Sequence, residues 1–154
     1  MKEHSVNLVD RTGGIARGVT RLLGDMGYRT LVELPLGNGR RVDVAGLDRR
    51  GWFVVVEVKS SLADFRADGK WVEYLPYCDS FYFAVDLDFP LGILPPDVGI
   101  IVADAYDGAV HRAAPVRAMN PSRRRALTVR FARTAAGRLG GDTAFRTGAT
   151  IRAW

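Results

Sequence analysis

The chain has one cysteine, two histidines and three lysines, and each shortage removes a class of protein. Cys78 alone can form neither an internal disulfide nor a cysteine-rich zinc site, which excludes a stapled secreted scaffold. His4 and His111 stand too far apart in sequence to suggest a histidine-metal nuclease. Apolar runs such as Trp52 to Val56 are far too short to cross a bilayer, and Met1-Lys2-Glu3-His4-Ser5 opens no signal core. Glycine is plentiful, yet no Gly-x-x-x-x-Gly-Lys loop appears, which argues against ATP-driven action. Internal repeats and low-complexity tracts are absent as well. What is present is 154 residues of ordinary globular composition, 47% hydrophobic and 25% charged, enough for one domain with a real core. The expectation is a cytoplasmic protein with no membrane association.

Acidic residues are scarce at one end. Residues 1–110 hold 12 Lys+Arg against 16 Asp+Glu, whereas residues 111–154 hold 10 arginines against Asp142 alone. A basic C-terminal segment on a mildly acidic body suits a polyanion partner, because each neutralised phosphate releases counterions. It equally suits a solvated arginine face. Arginine outnumbers lysine 19 to 3, so Lys59 and Lys70, eleven residues apart, stand out.

The hydrophobic pattern places the elements. Ile15, Val19, Leu22, Leu23 and Met26 form one stripe of a first helix, with Asp10 as N-cap and Gly27 as its left-handed stop. Arg17 and Arg21 fall opposite the stripe. Strands are expected over Thr30–Leu36, Arg41–Leu47 and Trp52–Lys59, separated by Gly37-Asn38-Gly39 and Asp48-Arg49-Arg50-Gly51 turns. A helical stretch from Leu62 to Tyr74, broken near Gly69, leads to strands Ser80–Asp86, Val98–Asp104 and Ala109–Arg112. Asn120 and Pro121 start a last helix, with Leu127, Phe131, Ala135 and Leu139 facing inward. Arg123, Arg130 and Arg133 cluster on another side of it. The result is an α/β protein with a mixed sheet flanked by helices. Residues 1–140 form the domain, 121–139 its basic C-terminal helix, and 141–154 a loosely held tail.

The third strand is apolar until Glu57-Val58-Lys59. Alternation puts Glu57 and Lys59 on one face, and buried charges are costly unless paired or bound. Asp43, flanked by valines, falls opposite about residue 56 if the turn centres between Arg49 and Arg50. Two carboxylates and a lysine suit Mg²⁺-assisted phosphodiester chemistry. A Glu57–Lys59 ion pair beside an Asp43–arginine pair is the structural alternative.

Asp43 followed by Glu57-Val58-Lys59 resembles the D…(D/E)-x-K signature of the PD-(D/E)xK nuclease superfamily. Gly39 to Asp43, Val56 to Phe65, Lys70 to Tyr74, Tyr77-Cys78-Asp79, Phe81 to Val85 and Arg123 to Ala126 are more specifically similar to the MmcB-like DNA-repair family of bacteria. The resemblance covers about residues 14 to 139. It implies a restriction-endonuclease-like core that hydrolyses DNA in repair. Asp43, Glu57 and the Val58 backbone carbonyl would hold Mg²⁺ or Mn²⁺, and Lys59 would serve the attacking water. The usual proline before the aspartate is Val42, and the first helix lacks the metal-binding glutamate of many members. Glu33 is the candidate substitute, or else a half-exposed strand glutamate. Arg17, Arg21, Arg40, Arg41, Lys70, Tyr74, Arg123, Arg130 and Arg133 are candidate contacts to structure- or damage-specific DNA. The alternative function is an inactive module of the same fold that binds damaged or branched DNA and recruits repair proteins. Either role implies association with the nucleoid.

Overall fold

A computed structural model describes the backbone of residues 2–147 and the side chains of residues 10–141. The elements run α1 (Lys2–Asp25), β1 (Arg29–Pro35), β2 (Arg41–Leu47), β3 (Phe53–Val58), α2 (Leu62–Ala67), a 3₁₀ segment (Lys70–Tyr77), β4 (Ser80–Val85), β5 (Gly99–Ala103), β6 (Gly108–Arg112) and α3 (Pro121–Thr147). The six strands form one sheet in chain order. β1, β2 and β3 pair antiparallel, β3, β4 and β5 pair parallel, and β6 returns antiparallel. A three-stranded meander whose third strand pairs in parallel with the strand after a helix is the restriction-endonuclease-like core that the resemblance implies. No helix among the described residues is long and apolar enough to cross a membrane.

The central strands explain the two-layer packing. β3 is buried along its whole length because its sides serve different cores. Val54, Val56 and Val58 join Ile15, Val19 and Leu23 of α1. Phe53 and Val55 face the other way, toward Tyr74, Leu127 and Phe131. Gly18 lets α1 approach closely, since a Cβ there would lie 2.1 Å from the Asp104 carbonyl oxygen.

The helix termini differ from the sequence pattern in instructive ways. Nothing between Lys2 and Val9 breaks a helix, so Asp10 lies inside α1 rather than capping it. Gly27 does stop α1, at φ +94°, with the Tyr28 N–H donating back to the Leu23 carbonyl at 2.9 Å. The buried stripe ends at Leu23, and Met26 is exposed. Gly69 does separate two helical pieces, the second a 3₁₀ segment carrying Pro76. At the other end α3 passes through Gly140-Gly141, which cost about 1 kcal/mol each relative to alanine but block nothing. Leu139 is therefore an exposed residue of a longer helix, not the last buried contact. The remainder of the expected tail, residues 148–154, lies outside the described residues.

Candidate active site

The site begins where the β2–β3 ladder stops. Asp48 N–H bonds the Trp52 carbonyl at 3.0 Å and Gly51 sits at φ +83°, so the turn centres on Arg50. This moves the register one step from the expected one. Val44, not Asp43, pairs with Val56, which brings Asp43 level with Glu57. Pairing then ends, and the Val58 N–H that would have met β2 backbone donates instead to Asp43 Oδ2 at 2.8 Å.

Regular alternation fails at this point in both β1 and β2. Val42 and Val44 are two residues apart yet pack in opposite cores, so β2 rotates about Asp43. On β1 the break falls at Glu33, whose φ of +51° is the left-handed region that non-glycine residues avoid. The paired kinks at Glu33 and Asp43 open the sheet's edge against α1. A cleft of about 750 Å³ results, lined by Arg17, Thr20, Arg21, Glu33, Asp43 and Val58 among others.

Glu57 adjoins Asp43 and is 6% exposed. Its Oε2 is buried with no hydrogen-bond partner. Burial, then the neighbouring Asp43 charge, pushes the Glu57 carboxyl up to about 8. Burial also raises Asp43, against the opposing effects of the Val58 N–H and the Lys59 charge. Two adjoining carboxyl groups that resist joint ionisation, one with an orphaned oxygen, form a hard-oxygen donor set that fits a divalent cation. No third His, Cys, Asp or Glu joins them among the described residues. Glu33 is exposed at the cleft rim, 3.8 Å from an Arg41 nitrogen, and does not complete the set.

Lys59 shares the face of Glu57, as alternation requires, and is 3% exposed. Its Nζ lies 2.7 Å from Asp68 Oδ2, 3.7 Å from Glu57 Oε1 and 3.9 Å from Asp64 Oδ1. Burial alone would lower its pKa, but the Asp68 hydrogen bond and the three negative charges outweigh it and raise the value. Lys59 is thus held as an ammonium. Asp68 is its principal partner. Ser61 does cap α2, accepting from the Asp64 N–H at 3.1 Å.

The remaining candidates divide into three groups. Arg17 and Arg21 line the cleft, Arg21 also donating to the Tyr106 carbonyl at 2.7 Å. Arg123, Arg130 and Arg133 gather along α3 on the opposite face of the sheet. Arg40 is engaged by Glu73 at 2.6 Å, and Lys70 is exposed beside Asp68, whose carboxylate accepts its N–H at 2.9 Å. Tyr74 corrects the expectation most clearly. It is 6% exposed, its hydroxyl reaches the Arg41 carbonyl at 3.5 Å, and it belongs to the core rather than to a DNA-facing surface.

Against known proteins, a family profile described as DNA repair protein MmcB-like matches residues 3–144. A solved structure of a protein of unknown function from Silicibacter pomeroyi is 43% identical, with 93% of this chain and 97% of that one covered and a TM-score of 0.82. A repair endonuclease from Pyrococcus abyssi is 22% identical over 48% of this chain and 35% of its own, with a TM-score of 0.34, too slight a likeness to argue from. No curated protein matches the chain.

Proposed function

The chain belongs to the MmcB-like family of DNA repair proteins, and from that premise we propose that it hydrolyses DNA phosphodiester bonds with a divalent cation. The observation that carries this reading is the buried Glu57 Oε2, without a partner and beside a second carboxyl. Mg²⁺ or Mn²⁺ would be held by Asp43, Glu57 and the Val58 carbonyl. When bound, such an ion neutralises phosphodiester charge and lowers the pKa of water.

The protein's own residues do the rest. Asp43 lines the cleft and so meets an incoming phosphate group first. Lys59, fixed by Asp68, offers a permanent positive charge and N–H donors rather than a base. It orients the attacking water and offsets charge that develops on the phosphate. Arg17 and Arg21 hold backbone phosphates along the cleft, which positions DNA without reading its sequence. Chromosomal DNA as substrate implies association with the nucleoid.

A second reading, a non-cutting module that binds damaged or branched DNA and recruits repair proteins, is favoured by one feature. Among the described residues α1 lends the cleft arginines and small side chains but no carboxylate. Labelled single-stranded, duplex, flapped and junction DNA, incubated with Mg²⁺, Mn²⁺ or EDTA, separates the two. The nuclease reading expects metal-dependent cleavage by the wild type, lost in Asp43→Asn and Glu57→Gln with binding retained. Salt-sensitive binding with no cleavage on any substrate would leave the recruitment module.

A further inference from the structure

The two arginine groups border two separate grooves on opposite faces of the sheet. The cleft containing Asp43 lies on the α1 face, with Val58 in its wall. The second groove, about 460 Å³, follows α3 on the other face and is lined by Gly37, Tyr77, Leu127, Arg123, Arg130 and Arg133 among others. No carboxylate lines that second groove among the described residues. Arg123 is stacked over the Tyr77 ring at 5.0 Å, which leaves the guanidinium edge available to an anion.

The β1–β2 hairpin stands between the grooves. Glu33 borders the cleft, and Gly37, at the tip, borders the second groove. The tip is fixed rather than loose. Asn38 Nδ2 donates to the Glu73 carbonyl at 3.4 Å, and Arg40 Nε meets Glu73 Oε2 at 2.6 Å. About two-thirds of the way along α3, Arg138 donates to the Val32 and Glu33 carbonyls at 2.6 and 2.9 Å, so the helix crosses the β1 edge between the two grooves. Each groove has the volume of a small-molecule site, room for one or two nucleotides.

We propose that the two grooves take the two strands of a forked DNA, parted over the β1–β2 hairpin. The strand to be cut lies in the cleft with Asp43, and its partner lies against Arg123, Arg130 and Arg133. The assignment of the cut strand rests on the nuclease reading; the two-strand grip does not. Once one arm is seated, the other binds as an intramolecular step, so a fork holds more tightly than either arm alone.

The test measures binding of fluorescent fork, duplex and single-stranded DNA in EDTA at about 0.15 M salt. Wild type is compared with Arg17→Gln and with the Arg130→Gln/Arg133→Gln double variant, all three positions being exposed. Melting curves establish that the variants fold. Wild type should bind the fork at least tenfold more tightly than the duplex or the single strand. Each variant should bring the fork down to single-strand affinity. Equal affinity of the wild type for fork and duplex would overturn the proposal. So would variants that weaken all three DNAs by one common factor, the mark of a single continuous phosphate-binding face. Cleavage in Mg²⁺ that is lost in Glu57→Gln is read separately. It sustains the nuclease even if the fork preference fails, and its absence leaves the two-strand grip standing.

Discussion

A buried ammonium is stable only when it is compensated, and Lys59 has the carboxyl groups of Glu57, Asp64 and Asp68 within 4 Å. Asp68 supplies the one true hydrogen bond of the set, at 2.7 Å. Its own carboxyl is held below the ordinary range, because the Lys59 bond and the Lys70 N–H more than offset the effect of burial. Asp68 is thus a positioning residue for Lys59. Asp68→Asn keeps the shape and removes the charge, so single-turnover cleavage should slow by about tenfold or more, the usual scale for orienting partners. DNA affinity in EDTA should stay unchanged, since Asp68 faces Lys59 rather than either groove. Cleavage at the wild-type rate would show that Lys59 keeps its place without Asp68. Strand alternation made the shared face of Glu57 and Lys59 legible in the sequence. It could not reveal Asp68, nine residues on, because that contact depends on how α2 folds back over β3.

At the scale of elements, α3 is anchored by a buried acid that charge patterning alone does not single out. Asp79 is 2% exposed and forms a two-pronged pair with Arg124. It also accepts the Phe53 N–H at 2.8 Å and the Met119 N–H at 2.9 Å. One side chain thereby joins β3, the start of β4 and the entry to α3. Burial alone would raise its pKa, but these hydrogen bonds outweigh that and hold it below the usual carboxylate value. An acid with a depressed folded pKa adds stability above its unfolded value of about 3.9, and that stability is lost as pH falls through the folded value. Asp79→Asn should therefore cost about 3–5 kcal/mol at neutral pH, read from denaturant unfolding. The gap from wild type should narrow as the pH is taken below about 4. A constant gap across that range would contradict the pairing. The sequence made the strands and the Asn120-Pro121 helix start readable, since those rest on local patterns. Asn120 Oδ1 does accept the Ser122 N–H at 2.9 Å. The kinks at Glu33 and Asp43 were not readable, because period-2 reasoning assumes the regularity that the site breaks.

For the whole molecule, the lopsided charge resolves into placement. Among the described residues, the arginines of the C-terminal segment do not form one uniform basic face. Arg124 is spent on Asp79 and Arg138 on the β1 edge, while Arg123, Arg130 and Arg133 line the groove along α3. The acidic body likewise brings two carboxyl groups together at one point, Asp43 and Glu57 at the end of the β2–β3 ladder. The spacing of Asp43, Glu57 and Lys59 already suited cation chemistry there, the family resemblance added the roles, and the buried Glu57 oxygen without a partner fits the same reading. Everything proposed for catalysis depends on that pair holding a divalent ion. The most direct measurement is a calorimetric titration of Mn²⁺ into wild type and Glu57→Gln, both without DNA. The account predicts one saturable site in the wild type and none in the variant, with melting curves showing both proteins folded. Equal binding by the two proteins, or no binding by the wild type, would contradict it.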